Sequence, residues 1–102
     1  MRTFTVLAIL ATLFLAGCGG DTAVVDSGSY EGTVAEVVPA EEEIYVNLDS
    51  GEKIELYFNE ETELTREGET VEFSELSEGT RVRVDVERVG NRLEPRAVEI
   101  LQ

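Results

Sequence analysis

Ile44-Tyr-Val-Asn-Leu-Asp-Ser-Gly51-Glu-Lys-Ile-Glu-Leu-Tyr-Phe58 alternates apolar and polar residues on both sides of one glycine. Period-two alternation of this kind marks half-buried strands. Folding the stretch about Gly51 predicts a hairpin with Leu48 opposite Ile54, Val46 opposite Leu56 and Ile44 opposite Phe58. One face is then wholly apolar. The other face pairs Asp49 with Lys53, Asn47 with Glu55 and Tyr45 with Tyr57. A slip of one residue would turn every apolar side chain to water, so the faces are strongly specified.

The same alternation runs through Val82, Val84 and Val86. Gly90-Asn91 is a two-residue turn signal between this strand and the last one. Direct pairing sets Val86 against Pro95, Asp85 against Arg96 and Val84 against Ala97, after which the apolar phase shifts to Val98 and Ile100. A bulge near Ala97-Val98 restores it, with Arg83 against Glu99 and Val82 against Ile100. Pro95 has no N–H for a ladder and must face an unpaired side or a bulge.

Between these hairpins, Thr62–Leu64 and Val71–Phe73 form a short arm around Glu67-Gly68. Ser74 to Gly79 reads as one helical turn, with Ser74 as N-cap and Gly79 past its end. A first strand, Tyr30 to Val38, stops at Pro39. The expected fold class is all-β: a small five- to six-stranded OB-like Greek-key barrel with one short helical turn. A roll or an open SH3-like barrel is the alternative. Gly32-Thr-Val34, Leu76-Ser-Glu-Gly79-Thr-Arg-Val82-Arg-Val84 and Ala97-Val-Glu-Ile100 together resemble domain-of-unknown-function family 5666. The resemblance spans nearly all of Tyr30 to Leu101 and implies a small bacterial export-associated β-barrel module. Thr80 stands where that family usually has Asp, and the family supplies no catalytic residues to carry over.

Ahead of the barrel, Arg2 precedes a 13-residue apolar run, Phe4 to Ala16, interrupted only by Thr5 and Thr12. These are the n- and h-regions of an export signal, expected as a signal helix. The run is shorter than the roughly 20 residues of a spanning helix. Leu15-Ala16-Gly17-Cys18 resembles the bacterial lipobox. That resemblance implies cleavage between Gly17 and Cys18, with diacylglycerol on the Cys18 sulfur and an N-acyl chain such as palmitate. An ordinary signal peptide leaving a free thiol is the other reading. The expected organisation is therefore 1–17 cleaved signal peptide, 18–29 lipidated Cys18 and flexible tether, and 30–102 barrel domain. Val24-Val25 adding to a sheet edge is the alternative for the tether. With Gly rather than Asp at position 19, the expected location is the outer membrane of the envelope, on its periplasmic side or at the surface, if the organism has one.

Composition narrows the function. The 102 residues carry 22 acidic and 8 basic side chains, net −14, and Tyr30 to Gln102 alone carries net −13. Nucleic acid needs a basic patch and is excluded as a partner. The chain has no His, and its one Cys is Cys18, so His-based catalytic dyads and thiolate zinc sites are absent. A glycosidase pair of carboxylates needs a cleft that a barrel of this size spends on its own core. No enzyme activity is expected, and no cofactor beyond the covalent lipid on Cys18.

Three constellations remain as candidates. Tyr45 and Tyr57 on the outward face of the second and third strands form a candidate ligand face, since OB-folds bind there. They also read simply as a cross-strand aromatic pair that steadies the hairpin. Glu41, Glu42 and Glu43 are weak candidate ligands for Ca²⁺, which takes six to eight oxygens, although no EF-hand-type loop is present; the same run, like Glu60-Glu61-x-Glu63, reads as a solvated turn. Arg81, Arg83, Arg88, Arg92 and Arg96 suggest an anion stripe, or else cross-strand ion pairs such as Asp85–Arg96 and Arg83–Glu99. The expected function is a non-catalytic, monomeric, lipid-anchored envelope module. Its partners are the membrane and an envelope protein or polysaccharide. The alternative is a structural or stress-related acidic lipoprotein with weak divalent-cation binding.

Overall fold

The computed structural model describes residues 22–101. The signal segment, Gly17 and Cys18 lie outside them. Seven strands form one sheet: β1 Gly28–Val38, β2 Glu43–Leu48, β3 Lys53–Tyr57, β4 Glu63–Arg66, β5 Glu69–Thr70, β6 Arg81–Val89 and β7 Arg92–Ile100. Their order across the sheet is β3-β2-β1-β6-β7-β4-β5, and β3 also comes back against β7. The fold is all-β, as the alternation predicts; the short arm supplies β4, but its returning strand is Glu69–Thr70, not the expected Val71–Phe73, whose Phe73 opens a 3-10 turn instead.

Gly51 is not the centre of the first hairpin. Gly51 N–H donates to the Leu48 carbonyl at 2.9 Å, and Leu48 N–H donates to the Glu52 carbonyl at 2.7 Å. The loop is thus Asp49-Ser50-Gly51, a turn finished by a glycine at φ +107°, which matches the three-residue hairpin loop with a glycine bulge. Pairing is centred on Ser50. Ile44 faces Leu56, Val46 faces Ile54, Tyr45 faces Glu55, Asn47 faces Lys53 and Glu43 faces Tyr57. The expected pairs are each displaced by two residues, which preserves the faces. Ile44, Val46, Leu48, Ile54 and Leu56 are all buried. Each contributes roughly 1.5–3 kcal/mol relative to an exposed side chain.

β1 ties the two halves together. Gly28 to Thr33 pair with β6, and Gly32 to Val38 pair with β2 around a bulge at Ala35. The strand starts at Gly28, ahead of the expected Tyr30, and Val24 and Val25 pack against the core. Ala23 N–H donates to the Lys53 carbonyl on β3 at 2.8 Å. Gly32 is required where β1 passes β2, because a Cβ there would overlap the Asn47 carbonyl oxygen. Pro39 ends β1 and opens a 3-10 turn, Pro39–Glu41.

In the β6–β7 hairpin the extra residue is Arg96, since Val86 pairs with Pro95 and Asp85 with Ala97. The bulge falls just before the expected place. Asp85 therefore does not meet Arg96, whereas Arg83 faces Glu99 as expected. Pro95 is buried beside the bulge, ahead of Ala97, where the parallel pairing of β7 with β4 begins. Its missing N–H thus costs no ladder bond to β4.

The expected helical turn is shorter and starts earlier. A 3-10 turn covers Phe73–Glu75 with no side-chain cap, and Leu76 is already extended and buried. Gly79, at φ +91°, serves a separate reverse turn in which Thr80 N–H donates to Ser77 C=O at 3.1 Å. The Ser-x-x-x-x-Gly spacing fits both turns, and burial of Leu76 decides between them. The Glu67-Gly68 turn joins β4 and β5 as expected, with both residues at positive φ.

Candidate functional site

Strand parity places Glu43, Tyr45, Glu55 and Tyr57 on one face of β2 and β3. Tyr45 and Tyr57 do not stand directly opposite each other, because centring the loop on Ser50 instead of Gly51 displaces each pairing by two residues. Each tyrosine faces a glutamate instead, Tyr45 across from Glu55 and Tyr57 across from Glu43. The tyrosines are diagonal neighbours, within reach of long side chains. Tyr57 is 50% exposed and Tyr45 is half-buried. The Tyr45 hydroxyl donates to Glu55 Oε2 at 3.3 Å. The Lys53 ammonium lies 5.9 Å above the Tyr45 ring, a cation–π distance.

Glu43 is the unexpected member. At 3% exposure it is as buried as the apolar core, and its Oε2 has no hydrogen-bond partner among the described residues. It sits between Val38 of β1 and Tyr57 of β3 in the ladder. A hydrogen bond shared with Glu55, helped by burial, raises the Glu43 carboxyl above its ordinary pKa, and the same bond pulls Glu55 below its own. The two carboxyls titrate as a coupled pair, with Glu43 binding its proton more readily than Glu55. Tyr57 is pushed up to about 12 by its hydrogen bond to Glu55, and Tyr45 is pushed up chiefly by Glu43. Both phenols are therefore neutral at physiological pH.

A cleft of about 160 Å³ opens beside this block, where Glu55 and Tyr57 of β3 meet Val24 and the β6–β7 turn at Asn91, Arg92 and Leu93. It lies at the edge of the β2–β3 face, between β3, the segment ahead of β1 and the start of β7. Four solved structures of CusF share this architecture. An Escherichia coli CusF with Ag(I) is similar at a TM-score of 0.59 and 14% identity over 76% of this chain and 94% of its own. A tryptophan-to-alanine variant with Cu(II) is similar at 0.60 and 14% over the same shares. The apo form gives 0.58 and 14%, over 76% and 89%. At this identity the likeness shows the fold, an OB-like barrel. No family model matches the chain, and no curated protein matches it.

The other candidates are placed as follows. Glu41 and Glu42 are exposed in and after the 3-10 turn, while Glu43 is buried in β2, so the three do not converge. Among the described residues no three acidic, Cys or His side chains are grouped to hold a metal ion. Each of the five hairpin arginines has an acidic neighbour. Arg81 is bidentate on Asp49 at 2.8 and 3.0 Å, and Arg83 bridges Glu31 and Glu99 at 2.8 and 2.9 Å. Arg88 lies 3.6 Å from Asp26 and Arg92 2.7 Å from Glu94. Arg96 meets Glu87, with Glu61 at 3.4 Å. This is a paired surface rather than a free anion stripe.

Proposed function

We propose that the chain is a lipid-anchored cell-envelope module that binds a protein or an envelope polymer through the outer face of β2 and β3, without catalysis. The observation that carries the reading is the cleft beside Tyr57 and Glu55, next to a half-exposed aromatic ring on an otherwise charged surface. The lipobox-like Leu15-Ala16-Gly17-Cys18 supplies the anchor in this reading, and diacylglycerol plus an N-acyl chain on Cys18 hold the domain at the membrane, since two or more acyl chains anchor stably where one does not. The outer membrane, periplasmic side or surface, is the proposed place.

The metals named with the CusF structures do not fit this chain. Ag(I) favours soft sulfur ligands and Cu(II) favours imidazole and other nitrogen donors. The chain has no His, and its single Cys and single Met, Cys18 and Met1, both precede the barrel. Its acidic surface instead leaves weak, hard-cation binding by a structural or stress-related lipoprotein as the second reading.

The test is a pair of variants. Tyr45→Ser/Tyr57→Ser should abolish capture of solubilised envelope material while the fold is retained; undiminished capture would sink the face. Cys18→Ser should abolish incorporation of an alkyne-tagged palmitate, and continued labelling would remove the anchor. Saturable heat with Ca²⁺ or Mg²⁺ would favour the second reading.

A further inference from the structure

The cleft beside Tyr57 is chemically lopsided. Val24 and Leu93 supply apolar lining, Tyr57 an aromatic ring and Glu55 a carboxylate, with Thr22 and Asn91 adding neutral polar groups. Arg92 also lines it, but its guanidinium is engaged by Glu94 at 2.7 Å. A volume of about 160 Å³ is of the order that admits a benzene-sized group. Glu43, opposite Tyr57 in the β2–β3 ladder, is buried with one oxygen lacking a partner among the described residues.

We propose that this cleft takes a primary ammonium group on an apolar stem, such as the lysine side chain of a partner protein or a free polyamine. The proposal rests on reading the outer face of β2 and β3 as the binding surface, and it names the ligand class. The stem lies along Val24, Leu93 and the ring of Tyr57, and the ammonium meets Glu55. The molecule already makes one contact of this type, where the Lys53 ammonium covers the Tyr45 ring. Among the described residues no such cation covers Tyr57, its diagonal neighbour. Charge-assisted hydrogen bonding to a carboxylate and attraction to an aromatic face both favour an ammonium over a neutral or anionic group.

The other groups facing the site agree with this choice. Glu55 and Tyr57 line the cleft, and across the ladder they face Tyr45 and Glu43, so two carboxyls and two phenols stand together on this face. A cation beside Glu55 offsets the charge that burial penalises. An anion would meet Glu55 with no free cation, since Arg92 faces Glu94 and Lys53 faces Tyr45.

The experiment is an NMR titration of the ¹⁵N-labelled full chain in nonionic detergent with n-butylammonium, butanol and butyrate. Saturable shifts at Glu55, Tyr57 and Leu93 with butylammonium alone are expected. Glu55→Gln should weaken binding about tenfold, the loss expected for a hydrogen bond to a charged group, whereas Glu60→Gln, exposed and outside the cleft, should leave it unchanged. Amide dispersion of each variant checks its fold. Absence of saturable shifts, equal shifts with butanol, or equal weakening by Glu60→Gln would each overturn the proposal. A lysine-containing peptide binding more tightly than spermidine assigns the ammonium to a protein partner, and the reverse order assigns it to a polyamine. If every amine fails while Tyr45→Ser/Tyr57→Ser still abolishes capture of envelope material, the ligand class falls and the binding face stands.

Discussion

Asp49, in the turn between β2 and β3, accepts two hydrogen bonds from the Arg81 guanidinium at the start of β6, at 2.8 and 3.0 Å. The contact joins residues 32 positions apart and fastens the first hairpin to the last. The Arg81 hydrogen bonds hold the Asp49 carboxyl below its ordinary pKa of 3.8. A depressed folded-state pKa stabilises the fold above the unfolded value, and that contribution fades as pH falls through the folded value. Asp49→Asn should therefore lower the urea midpoint slightly at pH 7. The difference from the parent should shrink below pH 3.8. A difference that persists unchanged in acid would show that the charge is not what acts. The effect is small because both partners are solvent-exposed.

Glu43 should behave in the opposite sense. Its pKa is raised from 4.5 by the hydrogen bond to Glu55 and by burial. The stability contributed by its protonated form is complete below pH 4.5 and is lost as pH rises through the folded value. Glu43→Gln keeps the neutral shape and removes the titration. Thermal melts should show the variant at least as stable as the parent at pH 8, with the advantage disappearing at pH 4. Equal destabilisation at both pH values would mean that the carboxyl is needed for packing and not for its proton.

Gly32→Ala should be the most damaging single-methyl change in the barrel. The added Cβ would overlap the Asn47 carbonyl oxygen and press on the Val46 side chain, where the backbone has little room to yield. Overpacking of this kind costs roughly 1–3 kcal/mol. Urea unfolding should register that loss in the midpoint with an unchanged slope. Gly68→Ala, where nothing lies within 4 Å of the added carbon, should cost less, by way of its positive φ alone.

These cases show what alternation reveals and what it hides. The apolar faces of β2, β3 and β6 were readable because period two leaves no choice of face. The register was not, because pairing centred on Gly51 and pairing centred on Ser50 give the same faces. Only the hydrogen bonds of Leu48 with Gly51 and Glu52 separate them. The tyrosines were found by parity, and the same parity places Glu43 and Glu55 beside them. What parity cannot carry is the burial of Glu43, which depends on β1 and β3 closing over it, or the cleft, which needs Val24 and Leu93 from distant segments. Arg96 likewise gave up Asp85 for Glu87 once the bulge moved.

The barrel resembles CusF structures determined with Ag(I), yet residues 22–101 contain no Cys, Met or His, the donors that a soft ion favours. Titration of the Cys18→Ser full chain with Ag(I) in nonionic detergent should give no saturable one-to-one heat. The same chain should retain the amine-dependent shifts at Glu55 and Tyr57, since neither residue depends on a metal. A stoichiometric Ag(I) complex abolished by Glu43→Gln or Glu55→Gln would place a metal on the tyrosine face and displace the ammonium as its ligand. An outer face of two carboxyls and two phenols selects against that outcome, because silver gains little from oxygen donors.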